Sequence, residues 1–228
     1  MKTYIIYVQG HDKSERYAEE ALSSCEGKNF SAELFVGATK DTVKKWTTKY
    51  PYLLVDKPRS RIERFRAESS DVYWTKKACL TNQVRLWNKC LELNEPIVCL
   101  EHDARCVREW DSPEFDEFLI LNPVSGFNQP CFDHVKKYDF KEGVHSYRSN
   151  LTYYFDNDWI GAYIPPGLGS YAITPAGARK LIDAVKQSGC EQGDMTTNSY
   201  NVRLQYAAPD YFGMAKNLKM SIGSWEEN

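Results

Sequence analysis

The chain has 228 residues and a composition ordinary for a globular protein, enough to bury one substantial core. A formal net charge of −2 and a sequence pI near 6.1 exclude a globally basic nucleic-acid binder, so any polyanion contact must come from a local patch. A mean hydropathy of −0.57 and the lack of an apolar run of membrane length exclude a spanning helix.

Thr3 to Gln9 is β-branched and aromatic, as a buried strand is, and Gly10-His11-Asp12 breaks it. Short and without a small-residue cleavage site, this start reads as a first strand and not a signal peptide, so the expected location is the cytoplasm. A helix follows, capped by Ser14, with Tyr17, Ala18, Ala21, Leu22 and Cys25 on one face and Gly27 at its end. Ala32 to Gly37 is a second strand, Leu34 and Val36 facing one way and Glu33 and Phe35 the other. This β-α-β opening implies a parallel sheet with a right-handed crossover. Arg16, at the start of the helix, is either an anion contact or a surface charge.

Thr39 to Tyr50 reads as a short polar helix carrying Val43 and Trp46 inward. Lys57, Arg59, Arg61, Arg64 and Arg66 then form a basic run with Phe65, Tyr73 and Trp74 nearby, suited either to a solvated helix face or to phosphates. Leu80, Val84, Trp87 and Leu91 mark a helix from Lys77 to Leu93 that leads into an apolar run. Beyond Asp111-Ser112-Pro113, Glu114 to Phe118 looks helical and Leu119 to Leu121 extended. Periodicity is lost from Asn122 to Asp158, as in a binding loop or lid, and Tyr147 to Tyr163 is rich in aromatic residues. Ser170 to Ile173 is a short strand; Thr174 caps a helix with Pro175 in its first turn, Ala178, Leu181, Ile182 and Val185 on its core face and Gly189 closing it. Gly193-Asp194 and an alternating stretch from Val202 to Tyr206 complete the pattern. The seven cysteines make no CxxC pair and read as reduced core thiols, and no repeat or linker divides the chain.

The chemistry concentrates at Pro96 to Ala104, where the strand Ile97-Val98-Cys99-Leu100 stops on Glu101-His102-Asp103. Alternation in an extended chain turns Glu101 and Asp103 to one side and His102 to the other. The carboxyl end of a core strand is where open α/β sheets bind ligands, and paired carboxylates suit Mg²⁺ or Mn²⁺ carrying a diphosphate. A merely solvated strand end has the same residues.

Three stretches in order resemble glycosyltransferase family 25, which includes lipopolysaccharide-core and collagen sugar transferases of the GT-A architecture. They are Ala78-Cys79-Leu80-Thr81-Asn82 with Trp87 leading to Val98 through Ala104; Gly169 through Ala178 with Leu181; and Asp194. Gly10 to Arg16 is similar to the family's amino-terminal donor loop. The chain departs from the pattern at Thr81-Asn82, where the family has Ser-His, and at His102, where it has a middle aspartate.

The resemblance implies one α/β domain with a mixed, mostly parallel sheet flanked by helices, residues 1–121 forming the nucleotide-sugar and metal part and 122–228 the acceptor side. It implies transfer from a nucleotide-sugar with inversion, Asp103 and Glu101 holding Mn²⁺ or Mg²⁺, Glu101 alternatively meeting the ribose, and Gly10, Arg16 and Asn82 at the donor. Asp194 is then the base. Expected acceptors are 5-hydroxymethylcytosine in phage-type DNA, within host cytoplasm, or a lipopolysaccharide-core sugar. A transferase fold that only binds a nucleotide-sugar or glycan is the rival reading. A Rossmann dehydrogenase is set aside, because Gly10 has no GxGxxG partners.

Overall fold

The computed structural model describes residues 1–123, 141–147, 152–155, 158–165 and 167–215. β1 (Lys2–Tyr7), α1 (Asp12–Ser24) and β2 (Ser31–Val36) form the expected β-α-β unit, with β1 and β2 parallel. The cap of α1 is His11, whose Nδ1 accepts from Ser14 N at 3.2 Å, and not Ser14, which is buried with its Oγ accepting from Val8 N at 2.9 Å. The helix also stops before Gly27. β2 is an edge strand, so Leu34 and Val36 are exposed, while Phe35, edge-on to Tyr4, and Ala32 pack against the two cores.

α2 (Val43–Lys49), a 3₁₀ turn at Pro51–Leu54 and α3 (Arg61–Glu68) lead to α4 (Ser70–Leu93). α4 begins well before Lys77, because Ser69 caps it by accepting from Val72 N. β3 (Ile97–Glu101), β4 (Ala104–Cys106) and β5 (Phe118–Ile120) follow. The helix expected from Glu114 is absent. The chain there is held extended from outside: Asp116 N donates to Gln205 Oε1 at 2.7 Å and Glu117 O accepts from Thr174 N at 3.0 Å.

Within the expected loop 122–158, much of which lies outside the described residues, are β6 (Gly143–Ser146) and β7 (Thr152–Phe155), the latter pairing antiparallel with β8 (Asp158–Tyr163). β9 (Ser170–Ile173), α5 (Pro175–Ser188), α6 (Gly193–Thr196), β10 (Leu204–Ala208) and β11 (Phe212–Met214) complete the order. Thr174 caps α5 as expected, its Oγ1 accepting from Gly177 N at 3.2 Å.

The central sheet has seven strands in the order β2-β1-β3-β9-β5-β10-β6. β1, β2, β3, β5 and β10 run one way; β9 and β6 run against them. Alternate side chains feed two cores. Tyr4, Cys99, Phe118, Tyr171 and Tyr206 pack on α4 and α5 through Leu80, Val84, Trp87, Leu181 and Val185. Ile5, Val98, Leu100, Leu119 and Ala172 pack with Ala18 and Ala21 of α1 and with Trp110 and Phe212. Six of the cysteines are described and all are unpaired. No helix among the described residues is long and apolar enough to cross a membrane.

Candidate active site

Because five strands share one direction, their carboxyl ends and the start of β9 meet at a single edge. Glu101 lies there: Ile6 of β1 is its register partner, and its N donates to Gly169 O at 2.9 Å. β3 ends on Glu101, and His102 and Asp103 turn the chain into β4. The expected alternation therefore continues as a turn. His102 faces His11, Lys13 and Tyr17, its ring centroid 6.3 Å from that of Tyr17. Asp103 is buried, 9% exposed.

The opposite wall is α4, where Lys76, Cys79 and Gln83 fall on one flank at spacings of three and four. Gln83 packs on Gly193, where an added Cβ would lie 3.4 Å from its Cγ, and this closes α6 with Asp194 against α4. The electrostatics tie these groups together. Burial first, then Asp103 and Asp194, pushes the Glu101 carboxyl up to about 7, with Lys76 acting against them. Burial and then Glu101 push the Cys79 thiol up to about 11, Lys76 again opposing and Asp194 adding to the rise. Burial raises Asp194 as well, against the hydrogen bond from Met195 N (3.0 Å) and the charges of Lys76 and Arg61.

Glu101 and Asp194 are only half-buried and Cys79 is open to solvent, yet protein surrounds all three closely enough to desolvate them. Walls of a narrow cleft have this combination. A separate groove lined by Met1, Pro96, Trp110 and Gln205 lies at the far edge of the sheet, at the amino ends of β1 and β3.

The other residues expected at the donor are placed differently. Gly10 adopts φ +79°, which glycine takes without strain, and its N donates to Glu15 Oε1 at 2.8 Å in the loop beside Glu101. Arg16 is exposed on α1, 4.0 Å from Glu20 and over the Tyr17 ring, and is not drawn to the carboxylates. Asn82 is buried and holds the chain leaving β2: its Oδ1 accepts from Ala38 N at 2.6 Å and its Nδ2 donates to Ala38 O at 3.1 Å. The basic run divides. Arg66 pairs with Asp56 at 2.6 Å, alongside buried Lys77 at the same distance, whereas Arg61 bears on Asp194. Lys76 and Gln83 carry no signal of a site in the sequence, because they lie on the flank of α4 and outside its apolar stripe.

The described residues contain no group of three or more His, Cys, Asp and Glu side chains arranged to hold a metal on their own. Asp103 nevertheless fits a cation: its Oδ1 is buried with no hydrogen-bond partner. Mg²⁺-type sites commonly take one or two protein carboxylates and complete their shell with water and substrate phosphates.

The profile of glycosyltransferase family 25 (LPS biosynthesis protein) matches residues 19–197, most of the chain and all of the walls just described except the β1 loop. The class is thereby set: this is an enzyme of glycosyl transfer. The chain belongs to glycosyltransferase family 25. Among solved structures, mouse xyloside xylosyltransferase 1 in its apo form is similar over 86% of this chain and 80% of that one, at 10% identity and a TM-score of 0.39. No curated protein matches.

Proposed function

We propose that the enzyme transfers a sugar from a nucleotide-sugar to a hydroxyl of a glycan acceptor, inverting the anomeric carbon, with Mn²⁺ or Mg²⁺ at Asp103. One observation supports this reading: Glu101 feels the charges both of Asp103, whose Oδ1 is buried without a partner, and of Asp194, whose carboxyl is raised by burial. A bound cation would offset the charge of the departing diphosphate. Asp194 takes the acceptor proton while the acceptor oxygen bonds to the anomeric carbon and the bond to the nucleoside diphosphate breaks on the opposite side. Burial raises the proton affinity of Asp194, which makes it the stronger base. Glu101, beside the Gly10 loop, accepts from the ribose or helps Asp103 with the cation.

A glycan acceptor agrees with the family's description as an LPS biosynthesis protein. DNA has less support, since Arg66 of the basic run is paired internally. A mobility shift of duplex DNA at low salt that disappears at moderate salt would restore it.

The test is thermal stabilisation by a panel of nucleotide-sugars with Mn²⁺, followed by turnover. Asp103→Asn should lose metal-dependent stabilisation, and Asp194→Asn should keep it while losing transfer. A product with retained anomeric configuration would remove Asp194 from the base role. Stabilisation without any hydrolysis or transfer would make the protein a binder.

A further inference from the structure

The cleft has a cationic half that the transfer chemistry does not use. The segment before α3 is stitched to the segment before α6: Asp56 bridges Cys190, Lys57 N donates to Cys190 O at 3.0 Å, and Arg61 N donates to Glu191 Oε2 at 3.3 Å. Arg61 is thereby brought beside the chain that enters Asp194. Lys76 comes to the same place from α4, one helical turn before Cys79 and two before Gln83, which packs on Gly193.

Neither side chain forms an ion pair with a described residue; Lys76 lies only over the Phe65 ring, 5.8 Å from its centroid. Both charges are felt at Asp194, whereas the cationic groups that bear on Asp103 are His102 and Arg105. Two cations without an ion-pair partner among the described residues thus stand by Asp194, Lys76 reaching Glu101 as well, and neither is among the groups that bear on Asp103.

Resting on the transferase reading, we propose that the acceptor carries an oxyanion, phosphate or carboxylate, close to the hydroxyl that is glycosylated, and that Arg61 and Lys76 bind it. Arg61 offers a planar fork of donors and Lys76 a compact charge, a pairing suited to a tetrahedral or planar oxyanion. The neighbouring carboxylates Glu101 and Asp194 repel an anion that is not held by these cations, so they fix its position to one side of the base.

The experiment uses the full chain, Mn²⁺ and whichever nucleotide-sugar it hydrolyses. Acceptors are offered in matched sets: a methyl hexoside, its 6-phosphate and the corresponding hexuronic acid. The expected result is a kcat/KM for an anionic member on the order of tenfold above the neutral one, as a charge-assisted hydrogen bond gives. Arg61→Gln and Lys76→Gln should each narrow that ratio and together bring it near one. Which anionic member leads distinguishes phosphate from carboxylate. Equal use of the members of every set, preference for the neutral one, or use of none while the donor is still hydrolysed would overturn the proposal. So would an anionic preference that survives in the double variant. If no nucleotide-sugar is hydrolysed, the transferase reading itself fails, and this inference with it.

Discussion

Asp194 on α6 and Asn82 on α4 show how differently two polar residues can be placed. Asp194 Oδ1 takes a single backbone hydrogen bond and the side chain reaches solvent. For Asp194→Asn we expect transfer to fall by about 10²–10⁴-fold, the usual range for loss of a general base, with the donor still stabilising the protein in a thermal melt. Asn82 is closed off: its amide makes a two-point contact with Ala38 and its Oδ1 also accepts from Arg85 Nη1 at 3.2 Å. Asn82→Ala leaves the buried Ala38 N–H without that partner, and urea unfolding should show a loss of about 1–3 kcal/mol. The family resemblance assigns Asp194 to the base and Asn82 to the donor, but the contact that Asn82 makes is not legible in the sequence, because its partner Ala38 is 44 residues away.

At the scale of elements, α5 is held to the sheet through Glu117. Its backbone O accepts from Thr174 N, its Oε2 accepts from Arg203 N at 2.8 Å, and Lys180 pairs with its Oε1. Gly177, in the first turn of α5, lies so close that any Cβ there would collide with the Glu117 carbonyl. Gly177→Ala should therefore lower stability by about 1–3 kcal/mol or more, read from a thermal or urea melt, although alanine is the better helix former. Burial acts to raise the Glu117 carboxyl, but the Arg203 N–H and Lys180 outweigh it and hold it below its ordinary value of 4.5. A carboxylate depressed by folding stabilises above its unfolded value and loses that contribution as pH falls through the folded one. The melting temperature of Glu117→Gln should consequently depend less on pH in the acid limb below 4.5 than that of the parent.

These elements also show which local signals suffice. Long apolar stripes, as on α4 and α5, and the cap at Thr174 give existence and type correctly, since their stabilising contacts are near in sequence. Glu114 to Phe118 misleads, because its extended form is imposed by Gln205 and Thr174 from elsewhere in the chain. The exposure of Leu34 and Val36 is hidden for a related reason: nothing in β2 itself states that it will be the outermost strand.

For the whole molecule, strand order decides the site. Only after β1, β3 and β9 are placed side by side do the Gly10 loop, Glu101 and Gly169 become neighbours, and only the packing of α4 on α6 turns the acidic strand end into a cleft. The acidic half was legible as Glu101-His102-Asp103 because it is contiguous. Of the cationic half, Arg61 is legible only as one member of the basic run and Lys76 not at all, since the pair is assembled from two helices and a segment stitched to Cys190 and Glu191. On the proposed mechanism a cation at Asp103 and Glu101 would bind chiefly together with substrate phosphate, because the two carboxylates alone do not complete a coordination shell.

The most direct measurement is release of nucleoside diphosphate from a nucleotide-sugar by the purified chain, in Mn²⁺ and in EDTA, beside the Asp103→Ala variant. We expect turnover in Mn²⁺, its loss in EDTA, and no recovery by added Mn²⁺ in Asp103→Ala. Equal turnover in EDTA, or full activity of Asp103→Ala, would contradict a cation-assisted transfer centre at this edge of the sheet.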